Sequence, residues 1–308
     1  MTFSHSVCQQ LNDADRLKSE YVWTVPKSRP FDELILSWNG LRPEEGKWSF
    51  WVSLRQGEWS AELPYAEWSC ASQKTFEAIG PIAKSYQDGV FPLQGDGEGF
   101  RVIVRAEEGA DLSQLQELYV CLSSLSDFRE TEWKKLPSVK LEGVPKKSQI
   151  ALNHERSIDL CSPTSSSVAI GFFGKAVDPA SFAAKVRDAG FDIYGNWTLN
   201  TAQICHELGG QVFCKVQRLN NFQELHSFLT QGLPVIVSVR GPLAGSARAY
   251  KLGHLICVIG YDSDLDRVLC IDPAFPTDAE TEVSYDRSDF IQAWGRRKNI
   301  AYVFRDLL

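Results

Sequence analysis

Cys161 stands where a loop ending at Leu160 meets Ser162-Pro163-Thr164-Ser165-Ser166-Ser167 and the apolar run Val168-Ala169-Ile170-Gly171-Phe172-Phe173. Proline has a fixed φ and no N–H to lose, so Pro163 suits the first turn of a helix. Ser162 and Thr164 are able to hydrogen-bond at that frayed end. A thiol at such a junction lies close to unpaired N–H groups and to the positive end of the helix dipole, which lowers its pKa. A nucleophilic thiol also needs a base, and the base needs an orienting partner. Of the five histidines, His5 lies near the start, His154 in a polar loop, and His206 and His226 on expected helix surfaces. His254 alone opens an apolar, strand-like run directly after a Gly-containing loop. Asp272 ends the next strand, 18 residues on, where a hairpin returns it to the start of the His254 strand. Gln149, 12 residues before Cys161, carries an amide suited to a developing oxyanion. This set of residues points to acyl transfer through a thiol.

The elements that must position them follow from local patterning. Asp178-Pro179 starts a second helix with its own cap, and Thr198 to Leu208 forms a third, closed by Gly209-Gly210. Asn221 caps a further helix that ends before Gly232. Pro234-Val235-Ile236-Val237-Ser238-Val239 is a β-branched run expected of a buried central strand. Residues 254–261 and 267–272 read as a strand pair around an acidic turn. A helix near Asp286 to Trp294 and a strand from Ile300 to Phe304 complete the half. Helices followed by a mainly antiparallel sheet give an α+β pattern.

The N-terminal half differs in character. Residues 1–30 read as a peripheral extension with one short polar helix from Asn12 to Glu20. From Phe31 come short β-prone runs broken by Gly and Pro: residues 34–38, 47–55, 58–63, 99–105 and 117–122, as in an antiparallel sandwich. Trp38, Trp48, Trp51, Trp59 and Trp68 fall among them. Large rings of this kind fill a small core and its rim, and the odd spacing of Trp48 and Trp51 turns one of them outward, where it offers a platform for sugar or peptide. The charged, Pro-containing stretch from Asp127 to Lys147 separates the halves, giving an extension over 1–30, a β-rich sandwich-like domain over 31–135 and a C-terminal domain over 136–308.

Totals narrow the classes. At 308 residues there is room for two cores, and a net charge of −7 argues against a general nucleic-acid surface. No apolar run approaches the roughly 20 residues of a membrane-spanning helix, and the first residues lack a secretory signal, so a cytoplasmic location is expected. The eight cysteines contain no C-x-x-C and form no tight framework, so they read as reduced, and neither a metal site nor a cofactor is expected. Asp262-Ser263-Asp264-Leu265-Asp266 hints at a calcium loop, but Arg267 and Pro273 stand where its glycine and glutamate belong.

The order Gln, Cys, His, Asp resembles the papain-like cysteine peptidases, and the C-terminal half more closely resembles the C39-like peptidase family. The matching pieces are V-P-K-K-S-Q ending at Gln149, C-S-P-T-S from Cys161, Y-G-N-W ending at Trp197, G-L-P-V-I-V-S-V from Gly232, G-H-L-I-C-V-I-G-Y-D from Gly253 and I-D-P-A-F from Ile271. Tyr285, Phe290 and Trp294 also fit. S-W-N-G ending at Gly40 and Trp59-Ser60 resemble, more loosely, the β-rich part that often precedes this domain in bacterial members. The resemblance implies nucleophile Cys161, general base His254, orienting acid Asp272, oxyanion donor Gln149 and a peptide or protein substrate. It departs at Ser162, where the family usually carries glycine, so a side chain there either narrows the oxyanion hole or points away.

Substrate contacts are expected from Ser162, from the aromatic stretch with Tyr194, Asn196 and Trp197, and from Arg240 in a loop running to Gly253 that also holds Arg248 and Lys251 and no acid. That loop suits a mobile lid or a carboxylate-binding element. Each residue also has a plainer reading: a core cysteine, a strand histidine, an Asp-Pro turn, a linker glutamine, a helix-packing aromatic stretch, a solvated loop. Two other functions remain open: acyl transfer to an amine, as in the phytochelatin-synthase-like relatives sharing C-x-P-T-S, and non-catalytic binding of glycan or peptide by the Trp-rich half.

Overall fold

The computed structural model describes residues 2–129 and 134–306. Residues 130–133, within the segment read as the linker, lie outside that description. The chain divides into two compact units, one formed by residues 1–128 and 185–210 and the other by 129–184 and 211–308. This division differs from the expected one in that residues 185–210 group with the N-terminal unit. The first thirty residues are also integral to it, since they supply two of its strands.

The first unit is built from β1 (Ser4–Gln10), α1 (Asp13–Arg16), β2 (Glu20–Val25), β3 (Glu33–Gly40), β4 (Lys47–Gln56), β5 (Glu58–Trp59), β6 (Leu63–Ser69), β7 (Gln73–Thr75), β8 (Ala78–Ile79), β9 (Ala83–Tyr86), β10 (Gly89–Pro92), β11 (Gly99–Glu107) and β12 (Leu115–Ser123). One antiparallel sheet runs β1-β12-β3-β10-β9-β8; the other runs β2-β11-β4-β6-β7, with β5 on β4. Their alternating apolar residues meet in one buried cluster, with Leu36, Trp38, Leu118 and Val120 from the first sheet and Phe50, Val52, Val102 and Val104 from the second. Trp38 stacks on Phe50 at 4.0 Å. Trp38, Trp48 and Trp68 are fully buried. Trp51 has the opposite parity to Trp48 on β4 and lies half-buried under Arg105, as Trp59 does under Arg101.

Residues 185–210 are held in this unit by specific contacts. Arg42 donates its backbone N–H to His206 Nδ1 at 3.0 Å and its guanidinium to Ser69 O, Gln73 Oε1, Gln203 Oε1 and Lys185 O. The same guanidinium lies over the Trp68 ring, and burial lowers its pKa to about 10. Leu199 and Ala202 join the unit's apolar cluster.

The second unit contains β13 (Val139–Lys140) and α2 (Cys161–Phe172). The chain then passes through α3 (Pro179–Val186) and, in the first unit, α4 (Trp197–Glu207). It returns as β14 (Val212–Arg218), α5 (Phe222–Thr230), β15 (Val235–Gly241), β16 (Tyr250–Asp262), β17 (Arg267–Ile271), β18 (Glu282–Asp286), α6 (Arg287–Gly295) and β19 (Ile300–Asp306). One antiparallel sheet runs β14-β19-β15-β16-β17-β18, with β13 on β16. The β-branched run of β15 is central, between β19 and β16, and its residues 235–239 are buried, as its composition predicts. Asn221 caps α5 by accepting from Glu224 N, and Gly232 follows in the left-handed region at φ 80°, which glycine adopts without strain.

Candidate active site

α2 brings Cys161 to the first helical position, with Leu160 as its N-cap. No side chain caps this end, contrary to the expectation for Ser162 and Thr164. Thr164 Oγ1 is buried without a partner. Ser162 is fully buried, and its hydroxyl shares a 2.9 Å hydrogen bond with the Tyr302 hydroxyl on β19. Its side chain therefore points into the protein, toward β19. Ser165 ties the helix to β16 by donating to Leu255 O at 3.0 Å, next to His254. The sequence carries no signal for that tie beyond a run of small hydroxylated residues.

The strand side assembles as the hairpin spacing predicts. β16 pairs with β17 (Cys257 opposite Ile271, Val258 opposite Cys270), so Asp272 emerges beside the start of β16. His254 Nε2 meets Asp272 Oδ1 at 2.7 Å. With Nε2 taken by Asp272, the ring's other nitrogen, Nδ1, is left for the Cys161 thiol, and the two groups shift each other's pKa. Cys161 is partly exposed, whereas His254 and Asp272 are buried.

Asp272 is saturated with donors. Oδ1 also accepts from Ala274 N at 2.9 Å, and Oδ2 accepts from the hydroxyls of Tyr250 and Tyr285, each at 2.6 Å. The Tyr250 ring stacks on the His254 ring at 4.0 Å and 22°. Tyr250 escaped the sequence reading as a site residue, although its spacing of four from His254 places both on one face of a strand. Tyr285 was visible only as a family-like aromatic, because its contact with Asp272 depends on the register of β17 with β18.

The electrostatics follow from these contacts. Burial pushes the Cys161 thiol up, but the bond to His254, its charge and the N–H groups of Leu255 and Ser162 outweigh it and hold the thiol below its ordinary value. Burial lowers the His254 pKa, yet the Asp272 charge and hydrogen bond, with help from Cys161, raise it to about 9. Burial raises the Asp272 carboxyl, while His254 and the two phenols bring it below its usual range. The arrangement favours a thiolate–imidazolium pair backed by a carboxylate.

Other expected site residues are placed differently. Gln149 is fully buried and donates both amide protons to backbone carbonyls, Ser157 O at 3.0 Å and Ile158 O at 2.7 Å. Its Oε1 is buried without a partner. Asn196 and Trp197 belong to the first unit, where both are buried. Asn196 caps α4 through Leu199 N and donates to Asp188 Oδ2 at 3.0 Å, so its polar groups are engaged in structure. Arg240 is exposed and donates through Nε to Lys251 O. The loop it begins is bounded by β15 and β16, and with α6 it lines a cavity of about 440 Å³ that includes Leu243, Arg248, Asp289 and Arg296. Among the described residues no cluster of His, Cys, Asp or Glu suits a metal ion, and no helix is long and apolar enough to cross a membrane.

A thiol at a helix start, an imidazole on the facing strand and a carboxylate behind it form the arrangement of thiol-dependent acyl-transfer sites. The family model described as Peptidase_C39 like family matches residues 141–302, more than half of the chain, and the protein belongs to that family. It carries the family's fold, with 21% helix and 39% strand. No curated protein matches the chain. Among solved structures, a protein described as a C39-like peptidase from Bacillus anthracis is 20% identical, with a TM-score of 0.44 over 56% of this chain and 98% of that one. The peptidase domain of Streptococcus ComA, a bifunctional ABC transporter, is 14% identical, with a TM-score of 0.36 over 53% and 98%. A double glycine motif protease from an AMS/PCAT transporter, solved with its leader peptide, is 13% identical, with a TM-score of 0.35 over 56% and 99%.

Proposed function

We propose that this protein hydrolyses peptide or isopeptide bonds through an acyl-enzyme on Cys161. The observation that carries the reading is a partly exposed Cys161 at the first position of α2 together with a buried His254 whose Nε2 meets Asp272 Oδ1 at 2.7 Å. The thiolate attacks the carbonyl carbon and forms a C–S bond. His254 gives its proton to the leaving nitrogen as the C–N bond breaks. Water then attacks the acyl-enzyme, delivers a proton to His254, forms the C–O bond and releases the thiolate. The oxyanion lies against the N–H groups of the first turn of α2, which have no intrahelical partners.

The substrate is a peptide segment of a larger chain or a free peptide. Arg248, which reaches Ile158 O beside the thiol's turn, and Arg240 supply positive charge for its carboxylates. The two N-terminal sheets are read as a sandwich-like domain, and its half-buried Trp51 and Trp59 are the candidate contacts for peptide or glycan. Incubation of the full chain with a peptide library, read by mass spectrometry, tests the reading. Cleavage is expected for the native chain and absent for Cys161→Ala; full activity in that variant rules the mechanism out. Ligated products on adding amines would move the assignment to acyl transfer.

A further inference from the structure

We infer that the loop between β15 and β16, together with the end of α6, forms a subsite for an acidic side chain of the peptide substrate. This inference deepens the peptidase reading above and rests on it. Three observations carry it. The cavity of about 440 Å³ at this place is lined by Arg248 from the loop and Arg296 from the end of α6, with Pro242 and Leu243 as apolar neighbours. The cations gather there without acidic partners. Arg240 Nε donates to Lys251 O at 3.1 Å, and Arg296 Nη1 donates to Arg240 O at 3.1 Å and Pro242 O at 3.2 Å. Among the described residues no ion pair engages Arg240, Arg248, Lys251 or Arg296, and Asp289 is the one acid that lines the cavity. Positive charge is thus in excess here, in a chain whose net charge is −7. Finally, the patch adjoins the dyad through two elements. Arg248 Nη2 reaches Ile158 O at 3.4 Å, in the 3₁₀ turn Ser157–Asp159 that runs through Leu160 into Cys161. Two residues beyond Arg248, Tyr250 stacks on His254 and donates to Asp272.

The loop is held in place before any ligand arrives. Leu243 and Tyr250 are buried near its two ends, Ser246 donates to Arg248 O at 2.9 Å, and Arg296 grips two of its carbonyls. A preformed loop loses little freedom on binding. The chemistry of the lining selects the occupant. A guanidinium offers a fork of donors that matches the two oxygens of a carboxylate, and an excess of positive charge repels a lysine or arginine. Position follows from chain geometry. Ile158 precedes Cys161 by three residues, which span at most about 11 Å, and an extended peptide advances about 3.4 Å per residue. The acidic side chain therefore falls within about four residues of the scissile bond.

The test reads preference rather than activity, so any loss of folded protein in a variant cancels. Peptides cut from a library by the full chain are made again in pairs, the second member carrying Asn or Gln for each Asp or Glu within about four residues of the cut. Both members are measured on one preparation. An exposed ion pair changes affinity by at most about fivefold, so two guanidiniums predict about a tenfold preference in kcat/KM for the acidic member, most of it in KM. Replacing both guanidiniums, Arg248→Gln with Arg296→Gln, should bring that ratio to within about twofold, and Arg296→Glu should turn the preference toward a lysine-bearing peptide. Raising NaCl from about 50 to about 500 mM should shrink the native ratio, a measurement that needs no variant. Cut peptides without acids near the cut, a native ratio within about twofold, or a ratio unmoved by both salt and the double variant would overturn the inference and leave the peptidase reading standing. A native chain that cuts no peptide would defeat the peptidase reading instead. Fluorescence anisotropy with a tetraglutamate and a tetraglutamine peptide then still reads the patch: tighter binding of tetraglutamate supports it, and equal binding overturns it.

Discussion

Removing one phenol from Asp272 tests how the dyad is held. Tyr285→Phe deletes a hydroxyl that donates to Asp272 Oδ2 at 2.6 Å in a fully buried setting, and leaves the matching bond from Tyr250. A hydrogen bond to a charged group contributes about 1.5–3 kcal/mol, and one pKa unit corresponds to about 1.36 kcal/mol. The Asp272 pKa should therefore rise. In the native chain this carboxyl is depressed below its ordinary value, so its contribution to stability is present above the unfolded pKa and is lost as pH falls through the folded one. In the variant the folded pKa lies closer to the unfolded one, so that contribution is smaller and its loss is complete at a higher pH. Urea unfolding of the two proteins should differ by about 1.5–3 kcal/mol at pH 7 and converge toward pH 3. The acid limb of kcat/KM should move up in step, since protonating Asp272 releases His254. Tyr250→Phe retains the ring that stacks on His254 and should match Tyr285→Phe, and the double variant should exceed both. An unchanged pH 7 midpoint together with an unmoved acid limb would refute this account of the carboxylate.

Three further outcomes follow. His254 has a folded pKa of about 9 against an ordinary 6.5, so its stabilising contribution is full below about 6.5 and is lost as pH rises through about 9; unfolding midpoints should fall between pH 7 and 10, less so in Asp272→Asn. Tyr302→Phe leaves the buried Ser162 hydroxyl without its 2.9 Å partner and should destabilise by about 1–3 kcal/mol in urea, with kcat/KM changed less than threefold. Arg42→Ala removes the guanidinium that gathers Ser69, Gln73, Lys185 and Gln203, and should destabilise the first unit by about 1.5–3 kcal/mol, seen as faster proteolysis within 185–210.

How much of this was legible depended on range. Cys161, His254 and Asp272 were readable because each is announced locally, by a Pro in a first turn, a Gly before a strand, and an Asp one hairpin away. The β15 run was readable because a buried central strand is apolar on both faces. Tyr250 and Tyr285 were not, since their shared carboxylate oxygen arises only when β16, β17 and β18 are in register. β1 alternates weakly, as Ser4-His5-Ser6-Val7-Cys8-Gln9-Gln10, and only its pairing with β12 identifies it. The helical pattern of residues 197–207 was clear, but a local pattern cannot say which core buries Leu199 and Ala202. The backbone partners of Gln149, the carbonyls of Ser157 and Ile158, were not legible, since they depend on how the loop before α2 turns back.

The central claim is a covalent acyl-enzyme on Cys161. Rapid acid quenching of the full chain during turnover of a cleaved peptide, followed by mass mapping, tests it most directly. The account predicts an added acyl fragment confined to the Cys161-containing peptide, lost in Cys161→Ala and also when His254 is replaced, since His254 is needed to form it. Turnover with no adduct at Cys161, or an adduct on another residue, would contradict it.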